Sequence, residues 1–543
     1  MKASLIALTA LLTASPAFAD TLINNANGVQ VGANGQLEHF TGLLIGDDGR
    51  VKRLLHGEQL KLANTIVVDA GGRTMLPGLI DAHGHVIDLG FAALRLNLTG
   101  TQSLAELQER LRVYAAAHPD LPWISGFGWN QESWTDKRFP TSADLDAAVG
   151  DRPVTLERVD GHAVVANGAA LRIARITAAT ASPAGGEIHD GLFVDNARSL
   201  IDKAVPKPSG AQTDEALAKA QAILLGYGVT AAGSMSTSVA DWNAFNRAGR
   251  AGRLNVRLMS YLSGTESMAA VSKPTGWLYR DKLRAVGIKL FADGALGSRG
   301  AWLKRPYADK PGTRGLQFHS DAELLAQADR AASAGFQVAT HAIGDAANAQ
   351  VISTYEKLNR KYPGGRRWRI EHLQIADPAD LKRLKPAGII TSMQPTHQTS
   401  DRSMAEARLD PARLKGAYAW RTIEKLGVRL AFGSDFPVES PNPFPGLSAA
   451  ISRQDPNGQP PGGWRPEERV SFTTALTGFT RGAAYAGFAE TKIGSLDPGK
   501  WADFIIVDRD VAKVDQQALA ATKVFETWVA GKKVFSADGS PAR

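Results

Sequence analysis

The chain is organised around one stretch, Leu76-Pro-Gly-Leu-Ile-Asp-Ala-His83-Gly-His85-Val-Ile-Asp88, in which an apolar run ends in two histidines two positions apart. Side chains alternate along a strand, so His83 and His85 project from one face of the strand end and direct two nitrogen donors at one place. An isolated pair of this kind is more often two histidines satisfied separately in a loop. A metal-binding interpretation is favoured by further donors at the ends of later predicted strands, namely Lys289, His341, Glu371-His372 and Gly433-Ser434-Asp435.

The composition excludes several classes of protein. The chain has 543 residues, 44% of them hydrophobic, which is enough for one large catalytic domain and a smaller one. Its net charge of +8 comes from 62 basic and 54 acidic residues without a long basic block, which argues against nucleic-acid binding. There is no cysteine, so any metal site must be built from histidine, carboxylate and modified lysine.

Residues 1–19 have the pattern of a secretory signal peptide. An apolar run follows Lys2, and Ala17-Phe18-Ala19 fits the small-x-small cleavage rule before Asp20. The run is too short to span a bilayer, which disfavours an uncleaved anchor, and no other stretch is long enough. We therefore expect a secreted protein without stable membrane insertion, periplasmic if its source has two membranes.

Both ends of the mature chain have a sequence pattern typical of short strands separated by tight turns. Examples are Gly42-Leu-Leu-Ile-Gly46 near one end and Ala502-Asp-Phe-Ile-Ile-Val-Asp508 near the other. We predict that residues 20–75 and 486–543 pair into a composite β-sandwich, and that residues 76–485 form the catalytic domain.

Eight apolar strand candidates lie in this catalytic domain, several followed by amphipathic helical patterns. A capping box at Ser320-Asp-Ala-Glu323, for example, begins a helix that ends at Gly335, just before the next strand. Strands that alternate with helices imply a parallel sheet, and eight of them predict a closed (β/α)8 TIM-like barrel of the α/β class. The candidates are residues 76–82, 228–233, 256–262, 287–291, 336–340, 368–371, 388–393 and 428–433.

Residues of about 95–215 are too many for one crossover after the first strand, so we predict an insertion subdomain there. It contains its own capping box, Ser103-Leu-Ala-Glu106, two strand-like runs, and an aromatic and polar cluster with Trp129, Trp134 and Asp160-Gly-His162. Either the subdomain covers the barrel mouth, or its aromatic residues form a core of their own.

The four histidines and Asp435 offer nitrogen and hard oxygen donors, which suit zinc or another first-row divalent ion such as iron or manganese. Lys289 lies in a run fit for a buried strand, where an unpaired lysine is costly. Spacing alone favours a salt bridge with Asp293 or Glu371. A lysine converted to a carbamate by carbon dioxide would instead bridge two metal ions, which accounts for the large number of donors.

These residues resemble the metal-dependent amidohydrolase superfamily, and within it the amidohydrolase 3, or YtcJ-like, family. The likeness covers nearly all of the mature chain, including the closing segment Gly494-Ser-Leu-Asp-Pro-Gly-Lys-Trp-Ala-Asp-Phe504. The other strings that carry it are Leu76-Pro-Gly-Leu-Ile-Asp-Ala-His-Gly-His85, Lys289-Leu-Phe-Ala-Asp-Gly-Ala-Leu-Gly-Ser-Arg299, His341-Ala-Ile-Gly-Asp345, Arg369-Ile-Glu-His372 and Gly433-Ser-Asp-Phe-Pro-Val438.

The resemblance implies hydrolysis of a carbon–nitrogen bond, other than a peptide bond, in a small-molecule amide. It implies two divalent ions, expected to be zinc, bridged by a carboxylated Lys289. By this likeness the ligands are His83, His85 and Asp435 for the more buried ion, and His341 and His372 for the second. Asp435 is also expected to take a proton from the attacking water and deliver it to the leaving nitrogen; the alternative is a ligand role alone.

Four residues are candidates for substrate contacts. His397 follows the seventh strand in Met393-Gln-Pro-Thr-His397, His162 and Trp129 belong to the insertion, and Arg299 lies in a loop beside Lys289 where it could meet an anionic group. For each, the alternative is a structural or solvated side chain. The aromatic residues of the insertion suggest a hydrophobic or aryl substituent, although one barrel hosts many reactions.

Two other functions stay open. A mononuclear deaminase, or a lactone or ester hydrolase, would use the same site with Lys289 unmodified or with a leaving group that is not an amine. A non-catalytic exported binding protein would keep the barrel, but it would have no reason to retain four histidines and a buried lysine. The acyl group of the substrate and a homo-oligomeric state are left open by the sequence.

Overall fold

The structure, a computed structural model, describes residues 19–58, 60, 62–131, 134–158, 163–183, 186–195 and 197–539. Its strands are β1 (Asp20–Asn24), β2 (Asn27–Val31), β3 (Leu37–Phe40), β4 (Gly42–Ile45), β5 (Val51–Leu55), β6 (Thr65–Asp69), β7 (Thr74–Pro77), β8 (Leu79–Gly84), β9 (Leu96–Asn97), β10 (Ile124–Trp129), β11 (Val154–Arg158), β12 (Ala163–Ala166), β13 (Gly186–His189), β14 (Leu192–Asp195), β15 (Val229–Thr237), β16 (Arg257–Ser263), β17 (Leu283–Phe291), β18 (Gln337–Ala342), β19 (Arg369–His372), β20 (Ile390–Met393), β21 (Arg429–Phe432), β22 (Phe504–Val507), β23 (Val524–Val529) and β24 (Lys532–Ser536).

The α-helices within the same residues are α1 (Val86–Leu94), α2 (Leu104–Ala117), α3 (Ser142–Asp146), α4 (Gly168–Ala174), α5 (Arg198–Asp202), α6 (Gly210–Gly226), α7 (Val239–Arg250), α8 (Asp321–Ser333), α9 (Asp345–Lys361), α10 (Pro378–Leu384), α11 (Pro395–Arg408), α12 (Pro411–Leu414), α13 (Trp420–Lys425), α14 (Pro443–Ser452), α15 (Phe472–Thr477), α16 (Ala483–Ala486) and α17 (Gln516–Ala520). In the part of the chain that the structure describes, none of these helices has the length and apolar character needed to cross a bilayer. The predicted signal peptide, up to residue 18, lies outside the described residues.

Eight strands form one sheet in which every neighbouring pair is parallel, in the order β21-β20-β19-β18-β17-β16-β15-β8. The sheet nearly closes on itself, because Gly84 at the end of β8 forms a parallel bridge with Phe436, just after β21. The backbone N–H of Asp435 also donates to the carbonyl of His83 at 2.8 Å. The predicted (β/α)8 TIM-like barrel is therefore confirmed.

The first predicted barrel strand, residues 76–82, is divided in the structure between two sheets. β7 pairs antiparallel with β22, whereas β8 pairs with β15 in the barrel. Gly78 lies at the crossing, where a Cβ atom would stand 2.2 Å from the hydroxyl of Thr230. Only glycine permits this approach, so the barrel strand begins at Leu79 rather than at residue 76.

Strands from both chain ends build the sheets beside the barrel. One sheet has the order β24-β23-β22-β7-β2-β3 and therefore joins the two ends, and the other has the order β5-β4-β1-β6. Buried side chains from both sheets, such as Ile23, Leu43, Phe504 and Trp528, belong to one hydrophobic cluster. This is the composite β-sandwich that the sequence predicted; its predicted boundaries at residues 75 and 486 stay a prediction.

A buried ion pair joins the start of β16 to the residue before β22. Arg257 donates through Nε to Asp503 Oδ2 at 2.6 Å and through Nη2 to Oδ1 at 2.9 Å, and both side chains are almost fully buried. Burial raises the pKa of Asp503, but the charge of Arg257 outweighs this effect and holds the pKa below its usual value. The pair is one of the contacts that tie the barrel to the strands of the chain ends.

A second compact unit comprises His85–Ala222 and Ser238–Arg253. Its sheet has the order β13-β14-β12-β11-β10-β9, and α2 begins with the predicted cap, because Ser103 Oγ accepts from the N–H of Glu106. Trp129 and Trp134 lie in its hydrophobic core. The unit corresponds to the predicted insertion after the first barrel strand, and the predicted bounds of about 95–215 stay a prediction.

Candidate metal centre

The candidate ligands stand at the carboxyl ends of barrel strands, where barrel enzymes have their active sites. His83 lies in β8, Lys289 in β17 and His341 in β18. His372 ends β19, and Asp435 follows β21 by three residues. The barrel thus brings together residues that are up to about 350 positions apart, because the ends of parallel strands meet at one edge.

His83 is fully buried, and each of its ring nitrogens has a definite neighbour. Its Nδ1 lies 2.7 Å from Glu371 Oε2, while its Nε2 lies 3.3 Å from both Lys289 Nζ and Asp435 Oδ1. Burial, followed by the charge of Lys289, lowers the pKa of His83 to about 4. The ring is therefore neutral at pH 7, donates through Nδ1 and keeps a lone pair on Nε2.

Asp435 belongs to two groups of residues whose ligand atoms lie within 4.8 Å of one another. The first group also contains His83 and His85, and the second contains His372 and His397. The grouping of His397 with the ligands was not predicted, since the sequence placed it among the substrate contacts. Asp435 is consequently the carboxylate shared by both halves of the site.

His372 and His341 are the two other histidines of the site, and their ring centroids are 4.6 Å apart. His372 Nδ1 lies 2.9 Å from Gln394 Oε1, to which it donates as a neutral ring, so its Nε2 is left as an electron-pair donor. Burial, then the charge of Lys289, lowers the pKa of His341 to about 3. Burial, then His341, lowers the pKa of His372 well below its ordinary value.

Two of these residues have an unusual backbone conformation. His372 has φ +75° and Asp435 has φ +63°, in the left-handed region that disfavours side chains. Asp435 is held there through its neighbours, because Asp81 accepts from both the N–H and the hydroxyl of Ser434, at 3.0 and 2.7 Å. Asp81 also accepts from the N–H of His83, so one buried carboxylate joins the first and last barrel strands.

Lys289 is buried and makes no ion pair within the described part of the chain; the nearest polar atom recorded for it is His83 Nε2. The salt bridge favoured by spacing is therefore wrong for both predicted partners. Asp293 accepts instead from the backbone N–H groups of three other residues, and Glu371 binds Arg369. Burial lowers the pKa of Lys289 to about 8.

The donors present fit divalent cations. The lowered pKa values leave His83, His341 and His372 as neutral nitrogen donors, and the carboxylate of Asp435 is a hard oxygen donor, which is the combination that zinc and similar ions prefer. One buried nitrogen of the set also lacks a partner, because His341 Nε2 makes no hydrogen bond among the described residues. His83, His85, His341, His372 and Asp435 could therefore hold such ions.

The predicted substrate contacts are placed as follows. His397 is buried beside the ligands, and its Nδ1 lies 3.1 Å from Gln374 Nε2. Trp129 is fully buried in the insertion core and donates to the carbonyl of Leu156, which is the structural alternative for that residue. Arg299 forms a partly exposed ion pair with Asp309. His162 lies outside the described residues, and all four substrate roles stay predictions.

Sequence reasoning missed several residues of the site. Asp81, Gln374 and Gln394 were not singled out, although all three lie within four residues of a predicted donor. Phe291 was also missed: its ring centroid is 5.4 Å from that of His341 and 5.0 Å from Lys289 Nζ, and the residue is 36% exposed. Phe291 follows Lys289 by two residues and therefore lies on the same face of β17, and this spacing is the sequence feature that could have identified it.

The fold and the site define a class, that of barrel hydrolases whose histidine, lysine and aspartate residues converge at the carboxyl ends of the strands. The chain belongs to the amidohydrolase family, whose model matches residues 66–535. The family resemblance predicted from the sequence is confirmed.

Individual relatives agree with this assignment. The chain is 32% identical to YtcJ of Bacillus subtilis (strain 168), named as an amidohydrolase, over 90% of this chain and 95% of that protein. It is 26% identical to an N-substituted formamide deformylase of Arthrobacter pascens, over 87% and 90% of the two chains. A metal-dependent hydrolase of Pyrococcus horikoshii OT3 superposes with a TM-score of 0.80 at 27% identity, covering 92% of this chain and 99% of that one.

Proposed function

We propose that the protein hydrolyses a carbon–nitrogen bond, other than a peptide bond, in a small N-substituted amide, with the help of divalent cations. The observation that carries the proposal is the position of Asp435, whose carboxylate is shared by two groups of candidate ligands. Asp435 would therefore be a ligand common to both groups, and its carboxylate would be available to a water molecule that the cations activate. The similarity to an N-substituted formamide deformylase supports an amide as the substrate.

His83, His85 and Asp435 would hold one zinc ion and His341 and His372 the other, and a carboxylated Lys289 would be a ligand of both. When bound, the ions would acidify a water molecule and polarise the substrate carbonyl. The lysine assignment is supported by the burial of Lys289 without an ion pair among the described residues, and by its Nζ lying 3.3 Å from His83 Nε2. The predominance of imidazole nitrogen among the donors supports zinc, with iron and manganese as alternatives.

The chain's own groups supply the proton transfers. Asp435 would accept a proton from the attacking water and deliver it to the leaving nitrogen, which needs a carboxylate within hydrogen-bond reach of both. His397 would hold the substrate carbonyl. Its Nδ1 is placed to accept from Gln374 Nε2, which leaves Nε2, 3.8 Å from Asp435 Oδ2, as the N–H donor. A donor in this position stabilises negative charge that develops on the carbonyl oxygen.

Exposed apolar side chains near the strand ends favour a hydrophobic substituent on the amide. Phe291 lies against His341 and is 36% exposed. Phe318, whose N–H donates to the carbonyl of Ala292, is also exposed, as is Leu316. An aromatic face beside the reacting groups would stack on an aryl or benzyl group of the substrate.

Export through the segment of residues 1–19 is also part of the proposal and rests on the sequence alone. The N-terminal sequence of the protein recovered from the periplasm or medium should begin at Asp20. Recovery of the full-length protein from the cell interior alone would contradict export.

The first experiment measures metal content per chain, on protein purified with bicarbonate, for the wild type and for Lys289→Ala. We expect about two equivalents of zinc, falling to about one or none in the variant. Lys282→Ala is a matched control, because Lys282 immediately precedes the same strand at its other end and donates to the carbonyl of Asn255. About one equivalent, unchanged by Lys289→Ala, would contradict the two-ion site.

The reaction itself is tested with N-substituted formamides and acetamides beside lactones, esters and aminated heterocycles. Release of an amine from the amides alone is the expected result. Hydrolysis of the lactones or deamination of the heterocycles, without amide hydrolysis, would replace the proposal by one of the two alternative chemistries on the same site.

A further inference from the structure

A chain of buried polar side chains leads through the barrel to His83. The hydroxyl of Tyr261 donates to Gln337 Oε1 at 2.7 Å and accepts from Arg369 Nη1 at 2.7 Å. Arg369 binds Glu371 through two hydrogen bonds, Nε to Oε1 at 2.8 Å and Nη2 to Oε2 at 3.0 Å. Glu371 Oε2 then meets His83 Nδ1 at 2.7 Å. Strands β18, β16, β19 and β8 are thus connected in the barrel interior.

The position of Arg369 is determined by several acceptors at once. Besides Glu371 and Tyr261, its Nη2 donates to the carbonyl of Ala82 at 3.0 Å and to Ser392 Oγ at 2.9 Å. A planar guanidinium held by so many hydrogen bonds has one orientation. Its two bonds to Glu371 fix the orientation of that carboxylate as well. Arg369 therefore orients Glu371, and its Nε, Nη1 and Nη2 atoms all donate to groups within the barrel.

The geometry of Glu371 makes it a hydrogen-bond acceptor. Its Oε1 accepts from Arg369 Nε and its Oε2 from Arg369 Nη2, which is the two-bond contact of an arginine with a carboxylate. A carboxylate held in this way only accepts hydrogen bonds, so His83 donates to it through Nδ1. The lone pair of Nε2 then faces Lys289 and Asp435.

We propose that Glu371, held by Arg369, is a positioning residue that determines the tautomer and the ring orientation of His83, so that His83 Nε2 is presented to a divalent cation. The inference rests on the proposed cation-dependent function. Partners of this kind behind a ligating histidine typically contribute about 10-fold to 100-fold in metal affinity, because a ring free to turn or to carry its proton on Nε2 is a poorer ligand.

Substitutions at residue 371 separate this role from a structural one. Glutamine keeps an oxygen that accepts from His83 Nδ1, whereas leucine has a similar size and no acceptor. We expect Glu371→Leu to bind zinc about 10-fold to 100-fold more weakly than the wild type and Glu371→Gln to lie between them. Affinity is measured on metal-free protein by competition with a chromophoric chelator, with the thermal midpoint of the same sample recorded.

Tyr261→Phe is the matched control, because it removes one contact of Arg369 and leaves the bond between Glu371 and His83 intact. It should lower the thermal midpoint and leave zinc affinity within about twofold of the wild type. If Glu371→Leu does not fold, Arg369→Met with Glu371→Leu removes both buried charges together, which proteins tolerate better than a single loss. That double variant should fold and show the same weakened binding.

The tautomer is read directly from the ring nitrogen signals of 15N-histidine-labelled, metal-free protein, with His83→Gln used for assignment. The wild type should show His83 protonated on Nδ1, and Glu371→Leu should show a mixture of tautomers. Wild-type zinc affinity in Glu371→Leu, an unchanged tautomer, or an equal loss of affinity in Tyr261→Phe would overturn the inference. The tautomer is observed without metal or substrate, so failure of amide hydrolysis would count against the proposed function alone.

Discussion

Asp293 is expected to hold the loop after β17 against the segment after β18, and its replacement tests that role. Its carboxylate is fully buried and accepts three backbone N–H groups: Oδ2 from Trp302 and Gly344, both at 2.8 Å, and Oδ1 from Ile343 at 3.0 Å. Asparagine with its oxygen in the Oδ2 position keeps two of these bonds and loses one. Alanine loses all three and leaves the donors buried.

The magnitude follows from the number of donors left without an acceptor. Each buried group of this kind costs about 1–3 kcal/mol, so Asp293→Asn should lower the free energy of unfolding by about 1–3 kcal/mol. Asp293→Ala should lower it by about 3 kcal/mol or more. Because His341 Nε2 lies 3.5 Å from Asp293 Oδ1, metal content should fall in the same order.

The assay is urea unfolding followed by tryptophan fluorescence and circular dichroism, with metal content measured on the same preparations. Asp309→Asn is the control, since Asp309 lies in the same loop and forms a partly exposed ion pair with Arg299, which contributes little. The expected order of stability is wild type and Asp309→Asn, then Asp293→Asn, then Asp293→Ala. An Asp293→Ala variant as stable as Asp309→Asn would refute the role assigned to this carboxylate.

Three further predictions concern the reaction, the buried ion pair and the substrate. Asp435→Asn should lower kcat/KM for an N-substituted formamide by about 100-fold or more, and a variant within about tenfold of the wild type would contradict proton transfer by Asp435. Asp503→Asn leaves the charge of Arg257 buried without a counter-charge and should cost about 3–5 kcal/mol in urea unfolding at pH 7. The folded pKa of Asp503 lies below the ordinary 3.8, so its stabilising effect is present above pH 3.8 and is lost as the pH falls through the folded pKa. If the difference in unfolding free energy between wild type and Asp503→Asn stayed constant down to strongly acid pH, that pH dependence would be wrong. Phe291→Ala should raise KM for aryl-substituted formamides about threefold to tenfold and leave KM for small alkyl ones unchanged, and an equal rise for both would argue against stacking.

Local patterns predicted much of the fold. Apolar runs located all eight barrel strands, and the capping box at Ser320 and Glu323 is formed as expected at the start of α8. The strand at residues 76–82 was placed three residues too early, because its apolar character continues across two sheets. What separates them is the close approach of Gly78 to Thr230, a contact 152 positions apart in sequence that periodicity cannot show.

The types of donor at the strand ends were readable from the chain, whereas their partners were not. Spacing alone favoured a salt bridge of Lys289 with Asp293 or Glu371, the acids at suitable positions. In the folded barrel both acids are already engaged, Asp293 by backbone N–H groups and Glu371 by Arg369. Competition between acceptors in a buried space decides such pairings, and that competition depends on three-dimensional neighbours.

The sequence by itself determined that this protein is an α/β barrel with histidine, lysine and aspartate at the strand ends, because alternation and helical periodicity are local properties of the chain. Only the tertiary structure decided how those donors are oriented. Glu371 and His83 are 288 positions apart, and Asp81 and Ser434 are 353 apart. Such pairs are set by strand register and by the closure of the sheet, which depend on the packing of the whole barrel rather than on any one segment.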